Sequence, residues 1–168
     1  MIIILIGVSG SGKTTVGQAL STLTGWSFLD ADDYHPEANI SKMSRGEPLT
    51  DADRAPWLEI LRTEIAARLA CGEDAILACS ALKKAYRQQL QVDPAQVHCV
   101  YLKVSPELLQ NRLEQRPDHF MKPSMLSSQL ETLEEPDSTE ALTVEVLADS
   151  TPATLATTIQ KSLSDKLS

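Results

Sequence analysis

The sequence predicts an α/β fold of three layers, with a central parallel sheet between two layers of helices and a helical lid over one end. Three observations predict it. The chain opens on a continuous apolar run, Ile2-Ile3-Ile4-Leu5-Ile6, and a strand apolar on both faces is how a parallel strand covered by helices reads. Such runs then alternate with stretches whose apolar residues fall at helical spacing, a pattern that demands crossover connections and therefore parallel pairing. The 168 residues suffice to cover one such sheet as a single domain, 1–168, with no internal repeat or linker.

Taken in order, glycines break the first strand. From Lys13 onward Thr14, Val16, Ala19, Leu20 and Leu23 have helical spacing, and Gly25 supplies the stop. Trp26 to Leu29 reads as a second short strand that delivers Asp30, Asp32 and Asp33 at its carboxyl end. The stretch from Tyr34 to Pro48 is polar, with turn residues and one short helix. Thr50 with Asp53 is then a capping signal for a long helix to about Ala70, whose apolar stripe is Trp57, Leu58, Leu61, Ile65 and Leu69. Ala75 to Cys79 is a third strand, followed by Ser80 and a basic helix containing Lys83, Lys84 and Arg87. Val97 to Val104 is a fourth, and Ser105-Pro106 starts a helix carrying Leu108, Leu109, Arg112 and Leu113. Gln115 to Pro123 turns polar and basic before Met125 to Leu133 looks helical again, so a flap over about 112–130 is expected. Thr143 to Leu147 is a last strand, and Pro152 to Leu167 a closing helix.

Composition narrows the class. A hydrophobic fraction of 42% with 23% charged residues suits a soluble globular protein, and no apolar run is long enough to cross a bilayer. The apolar start lacks the basic flank and cleavage site of a signal peptide. A net charge of −8 argues against nucleic-acid partners, which need a broad basic surface. Cys71, Cys79 and Cys99 are odd in number and widely spaced, which predicts reduced core thiols and a cytoplasmic location.

The sharpest local signal is Gly7-Val-Ser-Gly-Ser-Gly-Lys-Thr14, which fits G-x-x-x-x-G-K-[ST] between an apolar strand and a helical pattern. Here Gly7, Ser9, Gly10, Ser11, Gly12, Thr14 and Thr15 would curl backbone N–H groups around phosphate oxygens, at a helix N-terminus whose dipole favours anions. Lys13 would reach the β- and γ-phosphates of ATP, and the Thr14 hydroxyl would serve Mg²⁺. The loop leaves open where the phosphoryl group goes.

The acceptor side is read from charge. Asp30, Asp32 and Asp33 sit where open α/β sheets place ligand groups, and carboxylates there can hold Mg²⁺ through water or take a proton from an attacking hydroxyl. The segment 34–58 combines His35, Asn39, Lys42, Arg45 and Arg54 with few core-type residues, an inventory suited to a sugar acid. Lys83, Lys84 and Arg87 point to the same rim. Arg112, Arg116, His119 and Lys122 straddle the flap, where cations can stabilise the transferring phosphoryl group.

These residues fall into long and unusual words. Besides the glycine-rich loop there are Asp30-Ala-Asp-Asp-Tyr-His-Pro36, Asn39-Ile-Ser-Lys-Met43, and Gly46-Glu-Pro-Leu-Thr-Asp51 running into Asp53-Arg-Ala-Pro-Trp-Leu58. Farther on come Cys79-Ser-Ala-Leu-Lys-Lys84 with Tyr86-Arg87, His119-Phe-Met121 and Ser127-Ser-Gln129. In them the chain resembles the small P-loop gluconokinases, relatives by fold of shikimate and nucleoside-monophosphate kinases. The resemblance implies an αβα P-loop NTPase fold with a closing lid, ATP and Mg²⁺ as cofactors, D-gluconate as acceptor, 6-phosphogluconate as product, and a homodimer. By the same resemblance Asp32 is the carboxylate that meets the acceptor and Asp30 its metal-side neighbour. His35, Lys42, Arg54, Lys83, Arg87 and His119 are then acceptor-binding groups, with Arg112 and Arg116 as lid cations. Two rivals stay open at this point: a shikimate kinase-like or other small sugar-acid kinase, and a protein that senses ATP without transferring phosphate.

Overall fold

The computed structural model describes residues 1–114 and 123–167. Five strands, β1 (Ile2–Ile6), β2 (Ser27–Asp30), β3 (Ala75–Ala78), β4 (Val97–Val104) and β5 (Ala141–Val146), form one sheet in the order β2-β3-β1-β4-β5. Every pairing is parallel, and Ile4 of the central strand stands between Leu77 and Cys99. The connections carry α1 (Lys13–Thr24), a single 3-10 turn (Ala31–Tyr34), α2 (Glu37–Ser44), α3 (Asp51–Ala70), α4 (Lys84–Leu90), α5 (Pro106–Glu114), α6 (Pro123–Thr132) and α7 (Pro152–Leu167).

Alternation along β1 separates two cores, because successive side chains of a strand point to opposite faces. Ile2, Ile4 and Ile6 pack with Trp57, Leu58, Leu61 and Ile65 of α3 and with Tyr86 and Leu90 of α4. Ile3 and Leu5 pack on the other face with Val16 and Leu20 of α1, Leu155, Ile159 and Leu163 of α7, and Leu126 of α6. These side chains are buried, and each contributes about 1.5–3 kcal/mol relative to an exposed position. The expected stripe on α3 is thus its packing face, except that Leu69 is only partly covered. Its start is a complete capping box: Thr50 Oγ1 accepts from the Asp53 amide, and an Asp53 carboxylate oxygen accepts from the Thr50 amide.

Local departures from expectation have local causes. The second strand begins at Ser27 because Trp26 lies in the turn after α1, where its carbonyl accepts from the Ser21 hydroxyl. The last strand begins earlier, at Ala141, where pairing with Cys99 starts, and it ends before the exposed Leu147. Cys79 and Cys99 are buried free thiols, but Cys71 is not a core residue: it is exposed at the C-terminus of α3. Among the described residues no helix is long and apolar enough to cross a membrane.

Candidate active site

At the carboxyl ends of the strands lies a cleft of about 960 Å³, large enough for two small substrates side by side. One wall is the loop between β1 and α1. Gly7, Gly10 and Gly12 take positive φ values of 143°, 80° and 97°, and only glycine adopts such angles without strain. The N-cap of α1 is Gly12, which has no side chain to offer the first turn, so those amides are left for a ligand. Lys13 Nζ donates to the carbonyls of Gly7 and Val8, 3.0 Å each. Burial pulls its ammonium below the ordinary lysine range, against the opposing carboxylates of Asp32 and Asp30. Arg112 of α5 donates to the Gly10 carbonyl at 3.0 Å, so a second cation is already at the loop. Ser11 Oγ is buried with no hydrogen-bond partner among the described residues.

Thr14 Oγ1 donates to Asp30 Oδ2 at 3.0 Å, and Thr15 Oγ1 to the Gly12 carbonyl at 3.0 Å. Both threonines and Asp30 line the cleft. The Thr14–Asp30 pair offers hard oxygen donors, whereas no group of three or more His, Cys, Asp or Glu among the described residues could hold a metal by itself. That donor set fits Mg²⁺, which keeps most of its ligands as water and phosphate oxygens, and does not fit an all-protein cage.

The facing wall comes from the 3-10 turn, α3 and the β3–α4 connection. Asp30 Oδ1 accepts from the Asp32 amide at 3.1 Å, capping the 3-10 turn so that Asp32 is held at the cleft. The Asp32 carboxyl is pushed above the usual range by burial and then by Asp30, with Lys13 and Arg54 opposing. Its side chain is nevertheless 86% exposed, so cleft water screens that push until a substrate displaces it. His35 is buried, stacked on Trp57, and held near a pKa of about 4 by burial and by Arg54, so it is neutral at pH 7. Arg54 and Lys83 flank the Tyr86 ring, at 6.0 and 5.7 Å from its centroid. Lys83 Nζ is 2.8 Å from both Asp51 oxygens, and the Tyr86 hydroxyl donates to the same carboxylate. Arg54 has no carboxylate partner among the described residues and lines the cleft.

Not every expected residue arrives there. Arg87 does not line the cleft. It is 2% exposed and its guanidinium donates to the Ala81 and Leu82 carbonyls and to Glu140 Oε2 at 2.7 Å. It stands one turn along from Lys83, and the Ala81 and Leu82 carbonyls with Glu140 hold its guanidinium beneath the rim that Lys83 occupies. Lys42 is likewise spent elsewhere, with Nζ 2.9 and 2.8 Å from the two oxygens of Asp53, which anchors α2 to the start of α3. Gly7 shapes the phosphate loop but does not offer its amide, which donates to the Ser80 carbonyl at 3.2 Å. Arg116, His119 and Lys122 lie outside the described residues.

Other residues enter to which the sequence assigns no role. Gln129 of α6 accepts from the Ser9 amide at 2.7 Å, and Ser128 and Thr132 line the cleft beside it. Tyr86 and Ser80 line the acceptor side. Val146, Ser150, Pro152 and Leu155, around the β5–α7 junction, complete the wall near the phosphate loop. Their only sequence signal is position at a strand's carboxyl end, which many residues share.

Comparison with known proteins agrees with this geometry. A family profile described as AAA domain matches residues 2–136. The gluconokinase of Gluconobacter oxydans is 48% identical over 138 residues, 82% of this chain and 78% of that protein. The thermoresistant gluconokinase of Escherichia coli is 42% identical over 147 residues, 86% and 84% of the two. Among solved structures, a gluconokinase from Sinorhizobium meliloti superposes with a TM-score of 0.86 at 39% identity, covering 98% of this chain and 94% of that one. Shikimate kinase from Aquifex aeolicus, at 20% identity and a TM-score of 0.61 over 99% and 98% of the two chains, shares the fold. A complete phosphate loop facing a carboxylate and two cations, on a chain this similar over most of its length, leads to one assignment: the chain belongs to the gluconokinase family of P-loop kinases.

Proposed function

We propose that the protein is a gluconokinase, moving the γ-phosphoryl group of ATP onto the 6-hydroxyl of D-gluconate to give 6-phospho-D-gluconate and ADP. The observation that carries this reading is the meeting, in one cleft, of the phosphate loop with Asp32, Arg54 and Lys83. A sugar acid needs a cationic group for its carboxylate and a proton acceptor for its hydroxyl, and the facing wall supplies both.

The chain's own groups divide the work as follows. The amides of Gly10 and of residues 12–15 grip the polyphosphate, and Lys13 releases the Gly7 and Val8 carbonyls to follow the charge that moves to the β–γ bridge. Asp32 orients the 6-hydroxyl in line and takes its proton as the O6–Pγ bond forms and the bond from Pγ to the bridging oxygen breaks. Arg54 and Lys83 hold the acceptor's carboxylate end. Thr14 and Asp30 would hold Mg²⁺, which supplies charge neutralisation of the phosphates. Arg112 and, from the sequence resemblance, Arg116 serve the lid over about 112–130, and by the same resemblance His119 binds the acceptor. A homodimer in the cytoplasm, without nucleic-acid or membrane partners, completes the proposal, supported by the family resemblance and by the net charge of −8.

A coupled assay of ADP release, with ATP, Mg²⁺ and a panel of sugar acids, polyols and shikimate, tests it. Gluconate-dependent turnover is expected, falling by about 10²-fold or more in Lys13→Ala and Asp32→Asn. Equal turnover with shikimate, or none with gluconate, overturns the substrate assignment. ATP binding without ADP release on any acceptor makes the protein a sensor.

A further inference from the structure

Asn39, in α2, is 3% exposed and lies behind the cleft wall, so it cannot touch a substrate. Its side-chain amide nitrogen is 2.8 Å from the Asp53 carbonyl. A carbonyl only accepts, so the atom facing it is Nδ2 and the orientation of the amide is set by chemistry. The same Nδ2 lies 3.4 Å from His35 Nδ1. With one hydrogen on Asp53, the other points to the imidazole, and Nδ1 must be the accepting nitrogen. A flipped ring would present a carbon there, and an imidazolium would bring two donors together. The single ring proton is therefore on Nε2.

That nitrogen faces the cleft, 3.8 Å from Asp32 Oδ1. The ring has little freedom to turn away, because it lies face to face with Trp57, with centroids 4.4 Å apart and planes inclined by 12°. Trp57 is itself fixed through its indole N–H on the Ala31 carbonyl at 2.8 Å. We infer that Asn39 is a positioning residue for phosphoryl transfer, fixing neutral His35 as an Nε2–H donor directed at the Asp32 carboxylate. The chain of contacts runs Asp53 carbonyl, Asn39, His35, Asp32. It orders the group that receives the hydroxyl proton while leaving the second Asp32 oxygen for the acceptor. A separation of 3.8 Å is long for a hydrogen bond, but such contacts in ligand-free sites tighten when substrate arrives. The burial and the nearby Arg54 guanidinium that hold His35 neutral act in the same direction.

This inference rests on the reading of Asp32 as the base, so the test separates the two. The chain has three histidines, and ¹⁵N-labelled histidine spectra of the whole protein at pH 7, assigned with His35→Gln, report the His35 tautomer independently of turnover. Wild type is expected to show a protonated Nε2 and a bare Nδ1. In Asn39→Asp a carboxylate oxygen replaces the donor, so Nδ1 should become protonated, with kcat falling about tenfold and KM for gluconate holding within about twofold. His35→Gln, whose amide nitrogen can stand where Nε2 stood, should recover about tenfold in kcat over His35→Leu. A wild-type Nδ1–H tautomer, an unchanged kcat in Asn39→Asp once the tautomer has flipped, or equal losses in His35→Gln and His35→Leu overturns the inference. Should Asn39→Asp fail to fold, the wild-type spectrum and the His35 pair still decide. Wild type without gluconate turnover but with the Nε2–H tautomer would sink the proposed activity and the role in transfer, leaving only the Asn39–His35 contact.

Discussion

Replacing Arg87 with methionine separates a structural role from a substrate-binding one. The substitution keeps the bulk of the side chain and removes three donated bonds, to the carbonyls of Ala81 and Leu82 and to Glu140. Leu82 O retains a donor in the Glu134 amide at 2.9 Å, so among the described residues only Ala81 O is orphaned, at about 1–3 kcal/mol. Ala81 is a non-glycine residue at φ 37°, a conformation that persists only where its surroundings impose it. Breaking a buried ion pair costs about 3–5 kcal/mol when the survivor is stranded, but Glu140 keeps Lys84 as a partner, which places this case below that range. Methionine also removes the Arg87 Nε, buried and without a partner among the described residues, which offsets about 1 kcal/mol. The balance is a destabilisation of about 3 kcal/mol, or a fall in Tm of about 6–12 °C for a chain of this length. Urea and thermal melts measure it, alongside steady-state kinetics at a temperature where the variant is folded. Stability within about 1 kcal/mol of wild type, together with a tenfold rise in KM for gluconate, would refute the reasoning and return Arg87 to the acceptor site.

Three other outcomes follow from particular contacts. Gly17→Ala exchanges a poor helix former for the best one, usually a gain of about 1 kcal/mol; here the added Cβ would stand 2.4 Å from the Phe28 ring, so melting should show a net loss. His35 has its folded pKa lowered from 6.5 to about 4, so the unfolded chain binds the proton first as pH falls. Its contribution to stability is intact above about pH 6.5 and declines down to about pH 4, and denaturation curves of His35→Leu should lack that part of the slope. Arg54→Ala should raise KM for gluconate by about tenfold or more while leaving ATP affinity near wild type, measured by initial rates and calorimetry, because a charge-assisted contact to the acceptor is lost and the phosphate loop is untouched.

Much of this protein is legible without coordinates because the relevant signals are local. The phosphate loop needs glycine at positive φ before a helix N-terminus, and its consecutive residues carry that requirement wherever the rest of the chain goes. The Thr50–Asp53 capping box and the Ser105-Pro106 helix start are settled within one turn. The doubly apolar β1 implies helices on both faces, and short apolar runs and the period of 3.6 residues assign the strands and most of the helices.

Tertiary structure decides which charges face the cleft. Arg87 and Lys83 are four residues apart with the same sign, yet one is sealed under α4 on Glu140 and the other stands at the rim, since Glu140 arrives from 53 residues away. Lys42 is drawn to Asp53 and Gln129 to the Ser9 amide by contacts no spacing rule contains. Local patterns fix backbone conformation because steric and hydrogen-bond constraints act within a few residues. The direction of a charged side chain depends on the partner that compensates its desolvation, and here that partner comes from whichever segment the sheet order brings alongside.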